Sequence, residues 1–175
     1  MKAREAVEAK HVRRELLPNQ SIELLKTLHL VSRDGQLNAD SRRKLKQVNH
    51  FVGLLQPALD DTLERFPEPL VVDVGSGNAY LGFILYELFL KERSGGTLLN
   101  VESRPELTEK AKERATELKF GRMRFSTANI ENAEYPEKIQ VLTPTPRVRP
   151  VKITALPVWR RLRNSASSKG RPELR

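Results

Sequence analysis

Cysteine is absent from all 175 residues of this chain. Without thiol groups the protein has no disulfide framework, no thiolate zinc site and no cysteine-bound iron–sulfur cluster. Covalent catalysis through a cysteine nucleophile is excluded as well. The histidines are also few, and none falls in a pattern typical of metal ligands: His11, His29 and His50. We therefore expect no metal site.

Long apolar runs are missing too. The most apolar segment, residues 81–90, is short and contains Glu87, so it cannot cross a bilayer. The first five residues, MKARE, lack the apolar region of a secretory signal. We expect a cytoplasmic protein that makes no contact with membranes. A hydrophobic content of 38% is sufficient for the core of one domain of ordinary size.

Positive charge is concentrated at one end of the chain. Residues 144–175 hold nine Lys or Arg residues, one acid and five prolines, and they carry nearly all of the net charge of +9. This composition predicts a disordered tail. Trp159 beside Arg160, Arg161 and Arg163 is compatible with weak, non-specific RNA or DNA binding by stacking and phosphate pairing, whereas a basic tail without a partner explains the composition equally well.

Helical periodicity occupies much of the first 66 residues. It predicts a helix over residues 3–17, a short one over 21–29, and a long amphipathic helix from near Asn38 or Asp40 to about Phe66, kinked at Pro57. We divide the chain into an N-terminal helical segment (1–37), a central domain (38–143) and the basic tail (144–175).

A buried strand, a glycine turn and a helix follow one another in the central domain. The run Leu70 to Val72 has the apolar, β-branched character of a strand covered on both faces. Gly75 and Gly77 provide a turn whose backbone can approach a ligand closely, and an apolar helix follows from Tyr80. Such a unit directs backbone N–H groups into a crevice at the carboxyl edge of the sheet.

Three further strand signals complete an α/β pattern: residues 97–101, 123–127 and 139–143. Helical or helix-length connections separate them, with one helix predicted from Pro105 to about Leu118. This alternation predicts a Rossmann-like parallel sheet with strand order 3-2-1-4. The unpaired edge of the fourth strand favours self-association.

Glu102 ends the second predicted strand. Its two carboxylate oxygens could accept both hydroxyls of a ribose. An alternative role is structural, because residues 103–106, Ser-Arg-Pro-Glu, match a capping box at the start of the following helix. A dinucleotide fingerprint is not supported, since it requires glycine at position 80, where Tyr80 stands.

Asp73-x-Gly75-x-Gly77, followed by Glu102 at the next strand end, resembles the cofactor site of class I S-adenosylmethionine-dependent methyltransferases. The segments KQVNHFV (46–52) and TANIEN (127–132) resemble a poorly characterised bacterial branch of that superfamily, over residues 30–143 in all. The resemblance implies a cofactor site built from the turn after the first strand, the end of the second strand and the loop after the third: Asp73, Gly75, Ser76, Gly77, Ala79, Tyr80, Glu102, Ser103, Asn129 and Ile130.

Within that site the resemblance implies that Asp73 and the glycines contact the methionine part of S-adenosylmethionine, that Glu102 binds the ribose, and that Asn129 with Ile130 meets the adenine. It also places Lys46, Gln47 and Asn49 near the pocket, although solvated polar residues on a helix explain these three equally simply. No catalytic residue can be named, because methyl transfer requires mainly alignment of an already activated group.

Three functions follow as expectations. The first is an S-adenosylmethionine-dependent methyltransferase of unknown acceptor. The second is a non-catalytic cofactor-binding remnant or partner subunit, and the third is a nucleic-acid-binding protein acting through its tail. The abrupt change in composition at residue 144 favours a truncated or frameshifted product, in which the missing strands would leave the chain inactive by itself.

Overall fold

The computed structural model describes residues 14–136 and 138–144. Most of the helix predicted over residues 3–17 lies outside this range. The predictions of disorder and of nucleic-acid contacts for the basic tail lie outside it as well. In the part of the chain that is described, no helix has the length and apolarity needed to cross a membrane.

Four parallel strands form the centre of the fold: β1 (Leu70–Val74), β2 (Thr97–Glu102), β3 (Met123–Thr127) and β4 (Val141–Pro144). They lie in the order β3-β2-β1-β4, as predicted. β1 is central, and Asp73 pairs in register with Asn100 of β2 and Thr143 of β4. On the other side of β2, Glu102 pairs with Thr127 of β3. The carboxyl ends of all four strands therefore share one edge.

β4 begins at Val141 rather than at Ile139, where the apolar pattern placed it. Gln140 provides the reason. Its backbone N–H donates to the Leu70 carbonyl at 3.1 Å, but its side-chain oxygen, not a strand carbonyl, accepts from the Leu70 N–H at 2.7 Å. The side chain thus replaces a ladder hydrogen bond, and regular pairing starts one residue later.

Among the described residues, helices precede or connect the strands close to where the sequence predicts them. They are α1 (Ile22–Thr27), α2 (Ala39–Arg65) and α3 (Tyr80–Leu85), the last continuing as the π-helical segment Tyr86–Leu90. Asn38 caps α2 by accepting from the Ser41 N–H at 2.8 Å, and Pro57 lies within the helix. A fourth α-helix, α4 (Pro105–Glu117), connects β2 to β3.

The change from α3 to a π-helix is not visible in the sequence, which predicts one helix through Leu90. Arg122, at the start of β3, accounts for the way this segment ends. Its guanidinium donates to the carbonyls of Leu90 and Arg93 at 2.5 and 2.7 Å and to that of Gly96 at 3.1 Å. The Leu90 carbonyl also accepts from the Arg93 N–H at 3.1 Å, so Arg122 adds a second bond there and supplies donors to two carbonyls of the following loop.

The two faces of the sheet are covered differently. On one face, the helices and β-strand residues such as Val71 and Leu98 form the main hydrophobic core around the fully buried Phe83. On the other face, Val72, Val74 and Val101 form a smaller cluster. Among the described residues, this second cluster is covered by the loop between β3 and β4, which contributes residues 130, 133, 135 and 139.

Candidate functional site

The turn after β1 requires left-handed backbone at three positions. Gly75 and Gly77 have φ angles of +66° and +58°, a region that glycine adopts without strain. Ala79 has φ of +56° and is fully buried, so a methyl-bearing residue occupies a strained conformation there. The Ser76 N–H donates to the Val101 carbonyl at 3.1 Å, which fastens the turn to β2.

Glu102 links the two loops at this edge. Its Oε2 accepts from the Gly77 N–H at 2.7 Å, and its Oε1 accepts from the Arg104 N–H at 3.1 Å. Burial acts to raise the pKa of Glu102, but hydrogen bonds from the Arg104 side chain and from the Gly77 and Arg104 backbones outweigh it, so the pKa lies below its ordinary value. A buried, ionised carboxylate therefore lies beside the glycine turn.

Arg104 is a residue of this site that the sequence did not single out. Its Nε donates to Glu102 Oε1 at 2.8 Å and its Nη2 to Oε2 at 3.3 Å, in a two-pronged ion pair. The Arg104 side chain remains 52% exposed. The sequence shows an arginine two positions after a strand-end acid, but this spacing does not specify where the arginine side chain points.

The capping box, which was the structural alternative to a ligand-binding role for Glu102, does not form among the described residues. Arg104, not Ser103, is the N-cap of α4, and no side chain caps the helix. Pro105 at the first position has no N–H that needs a partner. The exposed Ser103 lies instead with its hydroxyl 3.4 Å from Glu102 Oε1.

Asp73 is completely buried at the centre of the edge. Its Oδ1 accepts from the hydroxyl of Thr143 at 3.1 Å, across from β1 to β4. Thr143, itself 1% exposed, is a second residue that sequence reasoning missed. The in-register pairing of Asp73 with Thr143 brings the two side chains together, and no pattern in the sequence specifies that register.

The remaining candidates are distributed around this edge. Ser76 is buried and Tyr80 is half-buried against the main core. Ala128 donates its N–H to the Glu102 carbonyl at 3.1 Å, so the following residue, Asn129, begins its exposed loop beside Glu102. Ile130 is half-buried and packs against the smaller apolar cluster. These positions agree with a shared site, and their ligand roles stay predictions.

Lys46, Gln47 and Asn49 of α2 have a different environment. The Asn49 side chain donates to the Glu15 carbonyl at 2.9 Å and accepts from Gln20 at 3.3 Å. Lys46 lies 3.7 Å from the Glu15 carboxylate, and Gln47 is exposed. The contacts of Lys46 and Asn49 fasten the N-terminal segment to α2, which is the structural alternative, and their proximity to a cofactor stays a prediction.

A cavity of 1080 Å³ lies elsewhere in the molecule. Its walls come from the stretch between Glu23 and Ser41 and from Lys110, Glu113, Arg114 and Glu117 of α4. None of the candidate site residues lines it. Within residues 14–136 and 138–144, no three His, Asp or Glu side chains are grouped so that they could hold a metal ion.

Comparison with known families gives one match. A family model described as a methyltransferase domain matches residues 43–156, which is well over half of the chain. The match continues past residue 143, where composition placed the end of the central domain. No curated protein sequence is significantly similar to this chain.

Several solved structures are similar in part. They include the YcgJ protein from Bacillus subtilis (18% identity, TM-score 0.38, covering 51% of this chain and 37% of that one). A putative protein-L-isoaspartate O-methyltransferase from Plasmodium falciparum with S-adenosyl-L-homocysteine has 13% identity and a TM-score of 0.43, covering 74% and 65%. A point mutant of MtNAS with S-adenosylmethionine has 17% identity and a TM-score of 0.48, covering 91% and 56%.

This chain therefore spans less than two thirds of the length of each of these three proteins. With TM-scores below 0.5, the similarity establishes no relationship to any one of them.

Proposed function

The chain belongs to the methyltransferase-domain family, and we propose that it binds S-adenosylmethionine at the carboxyl edge of β1 and β2 and acts as a methyltransferase on an acceptor not yet identified. The main support for this proposal is the contact between Glu102 and the turn after β1, where the Gly77 N–H donates to the carboxylate at 2.7 Å. An ionised acid and a glycine turn that touch each other form the two halves of a nucleoside site.

The residues at this edge fit such a group. A Cβ placed on Gly77 would have only the Arg104 guanidinium within 4 Å, at 3.7 Å, so the turn borders open space that a ligand could fill. Glu102 would accept hydrogen bonds from the ribose hydroxyls. Asn129, exposed in the loop that Ala128 anchors beside Glu102, offers an amide that can both donate to and accept from an adenine ring.

S-Adenosylmethionine supplies an activated methyl group on a sulfonium, so the protein needs to bind, orient and shield rather than to activate. Asp73 is suited to binding the cofactor, because the Thr143 hydroxyl holds its buried carboxylate on β1, close to the turn. We assign no general base, because transfer from an already activated methyl group depends mainly on alignment.

Calorimetric titration of the full chain with S-adenosylmethionine and S-adenosylhomocysteine tests the proposal. Saturable binding of both, at one site per chain, is expected, and absence of binding would contradict the proposal. A second assay separates an enzyme from a cofactor-binding partner subunit. Transfer of a radiolabelled methyl group to RNA, protein or small-molecule pools identifies an enzyme, whereas binding without transfer favours a non-catalytic cofactor-binding remnant or partner subunit.

The charge of residues 144–175 supports a second, separate proposal, that the tail binds RNA or DNA without sequence preference. Such binding depends on release of counterions and so falls steeply with salt. Gel-shift titrations at low and moderate salt, with and without residues 145–175, would detect it. The cytoplasmic setting and the self-association through the β4 edge expected from the sequence also remain proposals, testable by fractionation and by sedimentation.

A further inference from the structure

The acceptor capacity of the Glu102 carboxylate is fully used within the protein. Oε1 receives the backbone N–H of Arg104 at 3.1 Å, its Nε at 2.8 Å and, at the longer distance of 3.4 Å, the Ser103 hydroxyl. Oε2 receives the Gly77 N–H at 2.7 Å and Arg104 Nη2 at 3.3 Å. Each carboxylate oxygen has two lone pairs, so a ribose that approaches Glu102 finds no free acceptor position.

The five donors differ in their freedom to leave, and the exposed Ser103 hydroxyl, at 3.4 Å, makes the longest contact. The Gly77 N–H belongs to the turn, and the Arg104 N–H belongs to a residue whose carbonyl is held by the Leu107 and Thr108 N–H groups at 3.2 Å. The Arg104 side chain is different. It is 52% exposed, and in the described part of the chain its guanidinium has no other hydrogen-bond partner than Glu102.

Rotation of the Arg104 side chain would free one acceptor position on Oε2. On Oε1 it would leave the Arg104 N–H and the long contact from the exposed Ser103 hydroxyl, which a ribose hydroxyl can displace. Two vacant positions, one on each oxygen, are what a vicinal diol needs to donate both hydroxyls to one carboxylate. The backbone N–H groups would stay in place and keep Glu102 oriented and ionised. The arrangement is thus suited to exchange of one bidentate partner, a guanidinium, for another, a diol.

We propose that Arg104 is an internal competitor of the ribose for Glu102, a side chain that closes the nucleoside site and must leave it before a cofactor with both ribose hydroxyls can bind. The inference rests on the proposed function, because it concerns the same site. It goes further in assigning a role to a residue outside the implied cofactor set, and in making the affinity for nucleosides depend on a contact within the protein.

The exposure of the Arg104–Glu102 ion pair sets the size of the expected change in cofactor affinity. An ion pair with one side chain half in solvent stabilises the closed arrangement only modestly. Removal of the Arg104 side chain should therefore tighten cofactor binding by roughly threefold to fivefold. Arg104→Lys keeps the charge but not the bidentate geometry, and we expect a smaller gain.

The test compares the full-length wild-type chain with Arg104→Ala, using calorimetric titration with S-adenosylhomocysteine. Lys112→Ala is the matched control, since it removes an exposed ion pair, with Glu109 at 2.8 Å, from the same helix. We expect tighter binding for Arg104→Ala and no change for the control. A second pair of probes, 5′-methylthioadenosine and its 2′,3′-dideoxy analogue, should show the gain for the diol only. If Arg104 had a purely structural role, its removal would change the affinities for the two probes by the same factor.

The possible failures are separable. If the wild type binds S-adenosylhomocysteine and Arg104→Ala binds it equally or more weakly, Arg104 is not a competitor and this inference alone is wrong. An equal gain for the diol and dideoxy probes would also overturn it, because the effect would not pass through the ribose hydroxyls. If neither chain binds any of the ligands, the proposed function fails and the inference fails with it.

Discussion

The backbone N–H of Gly77 donates a 2.7 Å hydrogen bond to the carboxylate of Glu102, which joins the turn after β1 to the end of β2. The two residues are 25 positions apart in sequence and come together because β1 and β2 are parallel neighbours whose carboxyl ends share an edge. A charged acceptor makes such a bond about twice as strong as a neutral one. The contact therefore shapes the turn before any ligand arrives.

Gly77→Val should abolish cofactor binding. A φ of +58° is costly for a branched residue, and the new side chain would project into the space beside Arg104. We expect loss of S-adenosylhomocysteine binding in titration, together with a lower thermal midpoint. Gly121→Ala is the control, because no atom lies within 4 Å of its Cβ position. Near-normal binding by Gly77→Val would count against a site at this turn.

Thr143→Val should destabilise the protein by about 1 to 3 kcal/mol. The substitution keeps the shape of the side chain but removes the hydroxyl that donates to the buried Asp73 carboxylate at 3.1 Å. Thr143→Ser retains that hydroxyl but loses a buried methyl group, so its own loss of stability measures the packing contribution and the wild type is the reference for the valine variant. A valine variant as stable as the wild type would contradict the prediction. Urea unfolding of the three chains measures these differences.

Arg122→Ala should lower the free energy of unfolding by roughly 1.5 to 3 kcal/mol. Its guanidinium donates to three carbonyls at the end of the π-helical segment and lies 5.9 Å from the centre of the Tyr86 ring. Arg124→Ala is a control two residues away, in β3, because the described bonds of its side chain go to the nearby carbonyls of Gly121 and Met123. If both variants lost a similar free energy of unfolding in chemical denaturation, the long-range hydrogen bonds of Arg122 would have no special role in stability.

The dependence of stability on pH provides a further prediction. The folded-state pKa of Glu102 lies below its ordinary value of 4.5, so its contribution is complete above that pH and is lost as the pH falls through the lower folded value. Glu102→Gln cannot titrate. The stability advantage of the wild type over this variant should therefore shrink as the pH falls below about 4.5. A constant difference from about pH 7 to about pH 3 in denaturant titrations would contradict the depressed pKa.

The sequence predicted the backbone of this fold better than its side-chain contacts. The apolar runs that became β1 and β2 specify the centre of the sheet, because strands buried on both faces need continuous hydrophobic residues. The start of β4 was wrong because the Gln140 side chain competes with the backbone for Leu70. The π-helical segment was missed, since hydrophobic spacing over five residues does not separate it from an α-helix.

At the candidate site, too, the sequence predicted the backbone better than the side-chain contacts. Gly75, Gly77 and Glu102 could be identified because their spacing along the chain reflects the geometry of a strand, a turn and the next strand end. Arg104 and Thr143 could not, because their roles depend on a side-chain rotamer and on a strand pairing 70 residues apart. Sequence patterns carry the periodicity of elements and not the direction of an exposed side chain.

Replacement of Glu102 by glutamine, followed by calorimetric titration with S-adenosylhomocysteine, tests the central claim most directly. Loss of the charge should weaken binding by roughly 1.5 to 3 kcal/mol, the range for hydrogen bonds to a charged group, while the chain stays folded at neutral pH. Glu109→Gln is the control, an exposed acid on α4 that should leave the affinity unchanged. Equal affinities for the wild type and Glu102→Gln would show that the cofactor does not bind at this carboxylate.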